Sequence, residues 1–401
     1  MERDANLNIW SVVYERPDTA DTGFGRAVWS LSKVFMSQAK VNIIYGAPRS
    51  SSIGKELIDD INLYGVPKGQ GLISGRMSFY RDAATLLEML TNKHDPNVIF
   101  LHGPFSLPLV RPLRRLGPVV YHTFGSLIFE LTYSFREIVD TADQSKLARY
   151  ASDIPIESAF IRSVDMTVVP HQRAALELAK LYRLRSDRIS VSPYGQDIYE
   201  RFHGDEFFSD ADRFRSRFAG KKIILFVGGY AWNRKGARWM LRAFGKVSKH
   251  VPSVLIMTGK PAEHYLNLAG ELGLKINEDI LLPGIVNDRT LALLYASCDV
   301  FALPSAHEGF SQPVIEVMAY GKPVVVSPIA AYPTVRNGVE GFIVEPRDTE
   351  GFAEAMGKML IDDELYSIMC RNAKKRSQQF SWGKIGLRLL HLFNVLIDSD
   401  L

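Results

Sequence analysis

The chain of 401 residues holds only two cysteines, Cys298 and Cys370. A disulfide framework beyond one bridge is therefore excluded, and no cysteine–histidine spacing suits a zinc site. Both cysteines read as reduced thiols in helical, mostly apolar surroundings, which fits a reducing compartment. Charge of one sign is also scarce. Against 44 acidic residues stand 48 basic ones, a net charge of +4. Nucleic-acid binding calls for denser basic patches than that, whereas contact with phosphates or with an acidic surface stays open. No run approaches the ~18 apolar residues of a membrane span. The polar start, Met1–Asn8, lacks the apolar core of a signal peptide. The expected location is the cytoplasm, with a peripheral seat on the inner membrane face left open.

What is present is a regular alternation. Hydrophobic residues make up 46% of the chain, and the length suits two or three domains. In the first half, short Val- and Ile-rich runs occur at Leu7–Tyr14, Val41–Gly46, Val98–His102, Val119–Thr123, Met166–Pro170 and Ile189–Pro193. They are nearly continuous in hydrophobicity, as in parallel strands covered on both faces. Helical segments such as Arg26–Ser37, Arg81–Leu90 and Ala174–Tyr182 lie between them. The second half repeats this grammar at Lys222–Val227, Val254–Thr258, Ile280–Leu282, Val300–Leu303, Pro323–Val326 and Phe342–Val344. The expected fold class is α/β, with two Rossmann-like, doubly wound parallel sheets. The polar segment Tyr199–Lys221 is the expected linker. The first domain is placed at 1–205 and the second at 206–383, with helix 384–401 packing back onto the first. Ligands of such sheets bind at the carboxyl ends of strands, so both domains are expected to present loops to one cleft.

The densest chemistry lies between Leu303 and Pro323. A strand ends near Leu303, and Pro313 is placed as the first residue of a helix. Ser311 or Gln312 is then the N-cap, with Ser the better candidate. Gly321 and Pro323 stop the helix. A helix start offers unpaired N–H groups and partial positive charge, which suit a phosphate. Gly309 allows close backbone approach. Glu308 sits in the loop and Glu316 inside the helix, so the two carboxylates reach different parts of a ligand, as acceptors for sugar hydroxyls.

This segment, Pro304-Ser305-Ala306-His307-Glu308-Gly309-Phe310-Ser311-Gln312-Pro313 through Glu316 to Gly321, resembles the signature of retaining glycosyltransferases with two Rossmann-like domains, the family 4 type of the GT-B fold. The resemblance covers residues 190–400 well and the first 190 thinly. It implies transfer of a hexose from a nucleotide-diphosphate sugar, with retention and without a required metal or other cofactor. It implies that Glu308 contacts the donor sugar, that Glu316 holds the ribose hydroxyls, and that the backbone of Gly309, Phe310 and Ser311 faces sugar and phosphates. Lys235 matches the family's diphosphate-clamping lysine. The companion arginine position is Gly229 here, and Arg234 is the candidate to supply that charge. Gly23 and Gly25 match a glycine-rich loop after the first strand. His122 matches a strand-end histidine near the sugar, with His102 as competitor. Thr334 stands where the family carries a glutamate.

The acceptor is left open between a glycan, a lipid-linked molecule and others. Leu109–Arg115 combines apolar and basic residues, either as a patch for anionic lipid or as a helix with a solvated basic face. Gly229 and Thr334 also leave room for a nucleotide-sugar-binding partner subunit without turnover, and the fold for a phosphorylase or epimerase.

Overall fold

The computed structural model describes residues 7–19, 23–70, 72–92, 95, 97–102, 110, 112–123, 128, 144–228, 234–259 and 263–399. Among them no helix is long and apolar enough to cross a membrane. The chain separates into two compact units, Met1–Tyr194 with Trp382–Leu401, and Gly195–Ser381.

The first unit is built on an eight-stranded sheet in the order β3-β4-β2-β1-β5-β6-β7-β8. Its strands are β1 (Asn8–Val13), β2 (Lys40–Ala47), β3 (Gly54–Ile58), β4 (Ile61–Pro67), β5 (Asn97–His102), β6 (Val119–His122), β7 (Met166–Val169) and β8 (Ile189–Val191). All neighbours pair in parallel except β3 with β4. β1, β2 and β5 are buried almost throughout, which is why they read as unbroken apolar runs. The hairpin β3–β4 is not expected from the pattern. Asp59 and Asp60 turn it, with φ of 49° and 62°, the left-handed pair that a two-residue hairpin loop requires. β3 is an exposed edge strand. The helix Trp382–Ser399 belongs to this unit. Its Phe393 ring lies 5.6 Å from Phe35 and 5.3 Å from Phe100, so its apolar face is buried on the sheet.

The second unit carries β9 (Lys222–Val227), β10 (Ser253–Thr258), β11 (Ile280–Gly284), β12 (Val300–Leu303), β13 (Val324–Val326) and β14 (Gly341–Ile343). The order is β11-β10-β9-β12-β13-β14, and every pairing is parallel. Counted from β9 this is the 3-2-1-4-5-6 order of dinucleotide-binding sheets. The helix Ala237–Val247 buries Met240, Phe244 and Val247, and also Trp239, Leu241 and Ala243. Its apolar face is wider than a single stripe at i, i+4 and i+7.

The division falls at Tyr194/Gly195 rather than at 206, because the segment expected to be a linker is folded onto the second sheet. The helices Ile198–Arg201 and Asp205–Ser216 lie there. Tyr320 Oη donates to the carbonyls of Ile198 (3.2 Å) and Phe202 (2.8 Å). Arg215 forks onto Asp299 at 2.7 and 3.0 Å, and the same carboxylate accepts the Ile223 N–H at 2.7 Å. Asp299 thus ties the second of these helices to the start of β9, a bidentate geometry stronger than a single ion pair.

Candidate active site

In a sheet of this order the helices change sides between β9 and β12, and the loops leaving those two strands part to make room for a ligand. The loop after β9 brings Arg234 and Lys235. The loop after β12 brings Glu308. The side chains meet: Lys235 Nζ lies 2.5 Å from Glu308 Oε1. Ser305 Oγ donates to the same oxygen at 2.7 Å. Arg234 approaches the other oxygen, Oε2, to 3.9 Å. The Glu308 side chain is only 4% exposed and Lys235 13%, whereas Arg234 is 44% exposed. The two loops are also joined through backbone, since Ala306 N–H donates to Arg234 O at 2.8 Å. Burial holds the Lys235 ammonium below the usual lysine range. Glu308 pulls it back up and Arg234 pushes it further down.

Gly236 makes this junction work. Its φ is +78°, and a β-carbon there would lie 2.1 Å from Pro304 O and 2.8 Å from Pro304 C. Only glycine tolerates both the conformation and the contact. Gly236→Ala is expected to lower the melting temperature by several degrees, because a left-handed residue costs about 1–2 kcal/mol even without a clash. An unchanged melting curve would mean that the Lys235 loop is not held in this form.

The helix Gln312–Ala319 starts beside Glu308, with Ser311 at the N-cap and Pro313 in the first turn. Ser311 makes no side-chain cap bond, and its buried Oγ has no partner among the described residues. Gly309 is half-buried, and Phe310 is buried with its ring 6.4 Å from that of Phe380. Glu316 is 5% exposed, and its Oε2 accepts a hydrogen bond from Tyr295 Oη at 2.8 Å. Neither Ser305 nor Tyr295 is among the expected site residues. Ser305 lies inside the motif but reads there as a spacer. Thr334, at the family's glutamate position, is buried and donates to Ala331 O at 2.9 Å. Its hydroxyl closes a local turn. Gly229, whose missing arginine side chain bears on the cationic clamp, lies outside the described residues.

In the first unit, β1 and β5 flank the corresponding point of divergence. The helix after β1 runs Gly23–Phe35, so Gly23 and Gly25 stand in its first turn and not in a preceding loop. His102 ends β5 and His122 ends β6. The parallel register sets them side by side, with ring centroids 5.3 Å apart. His122 also stacks between Phe100 (5.3 Å) and Tyr194 (5.1 Å). Burial pushes His122 down to about 3, and His102 also lies well below the usual histidine value. Both imidazoles are neutral at neutral pH, so His122 is a hydrogen-bonding group there and not a cation.

A second cationic feature is not anticipated by any motif. Tyr14 directly follows β1, and Lys68 Nζ lies 4.9 Å and Arg76 Cζ 5.6 Å from its ring centroid. Of the expected lipid patch, Leu109 and Arg111 lie outside the described residues.

Sheet order, paired loops and buried helix start define a protein of two Rossmann-like units. Residues 22–199 match the family described as Glycosyltransferase Family 4, and residues 221–362 that described as Glycosyl transferases group 1. The chain belongs to this family of GT-B glycosyltransferases. An uncharacterized glycosyltransferase of Methanocaldococcus jannaschii is 28% identical over 229 residues, which is 55% of this chain and 58% of that one. The D-inositol 3-phosphate glycosyltransferase of Corynebacterium efficiens is 29% identical over 308 residues, 73% of this chain and 69% of that one. Among solved structures, the sucrose-phosphate synthase of Thermosynechococcus elongatus superimposes with a TM-score of 0.80 at 18% identity, covering 98% of this chain and 100% of that one.

Proposed function

We propose that the chain is a retaining hexosyltransferase that uses a nucleotide-diphosphate sugar as co-substrate and needs no bound metal for transfer. The carrying observation is the buried Lys235–Glu308 pair at the carboxyl ends of β9 and β12, next to the start of the helix Gln312–Ala319. Lys235, Arg234 and the helix N–H groups, with Ser311 Oγ, meet the negative charge that grows on the departing diphosphate. Glu308 Oε1 is occupied by Lys235 and Ser305, so Oε2 takes a hydroxyl of the donor sugar. Glu316 takes the ribose hydroxyls. Neutral His122 hydrogen-bonds an outer sugar hydroxyl. No nucleophilic side chain enters the reaction. The anomeric carbon–oxygen bond to the diphosphate breaks, the acceptor oxygen bonds on the same face, and its proton passes to a phosphate oxygen.

For the acceptor we propose a small polyol or sugar that bears a phosphate. The names of the Corynebacterium relative and of the Thermosynechococcus structure each include a phosphorylated polyol or sugar. In this chain, Lys68 and Arg76 flank Tyr14 at the carboxyl end of β1. Both cations suit a phosphate.

Nucleoside diphosphate release from UDP-, GDP- and ADP-sugars, with and without D-inositol 3-phosphate or hexose phosphates, tests the reading. NMR of the product reads the anomeric configuration. Donor binding with no turnover on any acceptor would favour the nucleotide-sugar-binding partner subunit, for which Gly229 in place of the family's arginine and Thr334 in place of its glutamate are the motivating departures. Lys68→Ala is expected to raise KM for a phosphorylated acceptor about tenfold, as befits one hydrogen bond to a charged group, with the donor KM unchanged. An equal effect on unphosphorylated acceptors would sink the acceptor assignment.

A further inference from the structure

The strands of the first unit have a second end, and a cavity of about 700 Å³ opens there, lined by Arg114, Arg162, Arg183, Arg185 and Arg188 among others. Met166 begins β7 and Asp165 precedes it. Asp165 Oδ2 accepts the N–H of Val119, the first residue of β6. The cavity is therefore at the amino-terminal edge of the sheet, whereas Tyr14, His102 and His122 stand at the carboxyl ends. Met166, Leu184 and Leu396 supply apolar lining.

The charges in it do not cancel. Asp165 pairs with Arg114, and Asp187 pairs with Arg185 at 2.8 Å. Among the described residues Arg162 bonds only neutral groups, Ser158 O at 3.1 Å and Ser158 Oγ at 2.6 Å. Arg188 donates to the carbonyl of Val164. The Arg183 side chain has no partner among the described residues, and its backbone is left-handed with φ of 53°. The two carboxylates of the lining, Asp165 and Asp187, are thus taken by Arg114 and Arg185, and the other three guanidinium groups have no carboxylate partner among the described residues. A cation in the last turn of a helix offsets the dipole there, which accounts for Arg162 and Arg183 singly. It does not account for their convergence with Arg188, since like charges gathered in one concavity repel unless an anion joins them. Guanidinium forks match the oxygens of a phosphate, and the cavity's size is that of a small-molecule site.

We infer that this cavity binds the phosphate group of an anionic organic molecule, at a site separate from both substrates of transfer. Phosphate could reach it on a free metabolite or on a lipid headgroup, and the chemistry at the arginines is the same. The proposal does not depend on the transferase reading, because no residue of the donor or acceptor sites takes part.

The test uses the full chain, the double variant Arg162→Ser/Arg183→Ser, and a control that removes two exposed charges elsewhere, Arg213→Ser/Arg217→Ser. Pyrophosphate binding is measured by calorimetry, and binding to phosphatidylglycerol/phosphatidylcholine vesicles by sedimentation. The donor site is common to all three proteins, so the difference between variants isolates the cavity. Loss of one pyrophosphate site, or at least a tenfold weaker one, in the double variant alone supports the proposal with a free phosphate as source. Loss of vesicle binding in the double variant alone supports it with a headgroup as source. Equal behaviour of all three proteins in both arms overturns it, as does an equal loss in the control. Melting temperatures within a degree of one another confirm that folding is not the cause.

Discussion

Lys235→Ala is expected to cut turnover by about 10²–10³-fold, the usual effect of removing one preorganised donor from a site where charge develops. The loss should fall on kcat and on kcat/KM alike, because the interaction strengthens as the diphosphate departs. The same substitution has a second consequence. Glu308 is almost fully buried and would keep the Ser305 Oγ hydrogen bond and the half-exposed Arg234 at 3.9 Å, but no direct hydrogen bond to a cation among the described residues. Breaking one side of a buried pair typically costs about 3–5 kcal/mol, since the remaining charge is stranded. The variant should therefore melt lower at neutral pH. Lys235→Arg separates the two effects. It keeps the charge, and it cannot deprotonate in the working range. Burial holds the wild-type ammonium below the ordinary lysine range, so wild-type activity should fall on the alkaline side earlier than an exposed lysine would dictate. In Lys235→Arg that alkaline fall should move to higher pH. Steady-state rates from pH 6 to 10 measure it. Near-normal turnover by Lys235→Ala, or an alkaline limb unmoved by arginine, would remove Lys235 from the mechanism.

The contact behind that prediction shows where sequence reading stops. Glu308, Gly309, Ser311 and Pro313 are readable because a strand end, a small-residue loop and a helix start are local features. The structure puts the helix within one residue of its expected start. Lys235 is readable by motif, but its meeting with Glu308 is not, for 73 residues separate them. It depends on β9 and β12 being neighbours, which strand periodicity does not encode. Tyr14, Lys68 and Arg76 come from three elements that are apart in sequence, and none of the three stands in a recognisable motif. The β3–β4 hairpin escapes because its edge strand is exposed and its turn is Asp-Asp, a weaker signal than Asn-Gly. The segment after Gly195 looks like a linker because it is rich in charge. Arg201 and Arg215 in fact direct their charge to Asp288 and Asp299 of the second unit, and of the aromatics Phe207 enters its core while Phe202 packs against it.

Acidification from pH 7 to 4 is expected to cost the first unit a large part of its stability. The cause is the pair of histidines at the ends of β5 and β6. In the unfolded chain each imidazole takes up a proton below about 6.5. In the folded unit His122 does so only at about 3, because its ring is buried between Phe100 and Tyr194, and His102, buried against Phe100 and beside His122, is likewise held well below its usual value. Between those values the unfolded state binds more protons than the folded one. Stability is thus full above about pH 6.5 and is lost progressively as the pH falls toward 3. Each tenfold loss of proton affinity on folding is worth about 1.4 kcal/mol, so by pH 4 His122 alone has removed on the order of 3–4 kcal/mol, a large part of the margin of many domains. The measurement is the unfolding midpoint against pH, in the wild type and in His122→Gln and His102→Gln. Each variant should start lower at pH 7, having lost ring stacking, but should fall less steeply toward pH 4. Wild type and variants descending with the same slope would show that neither imidazole is held neutral, and would also undo the assignment of His122 as a neutral partner for a sugar hydroxyl.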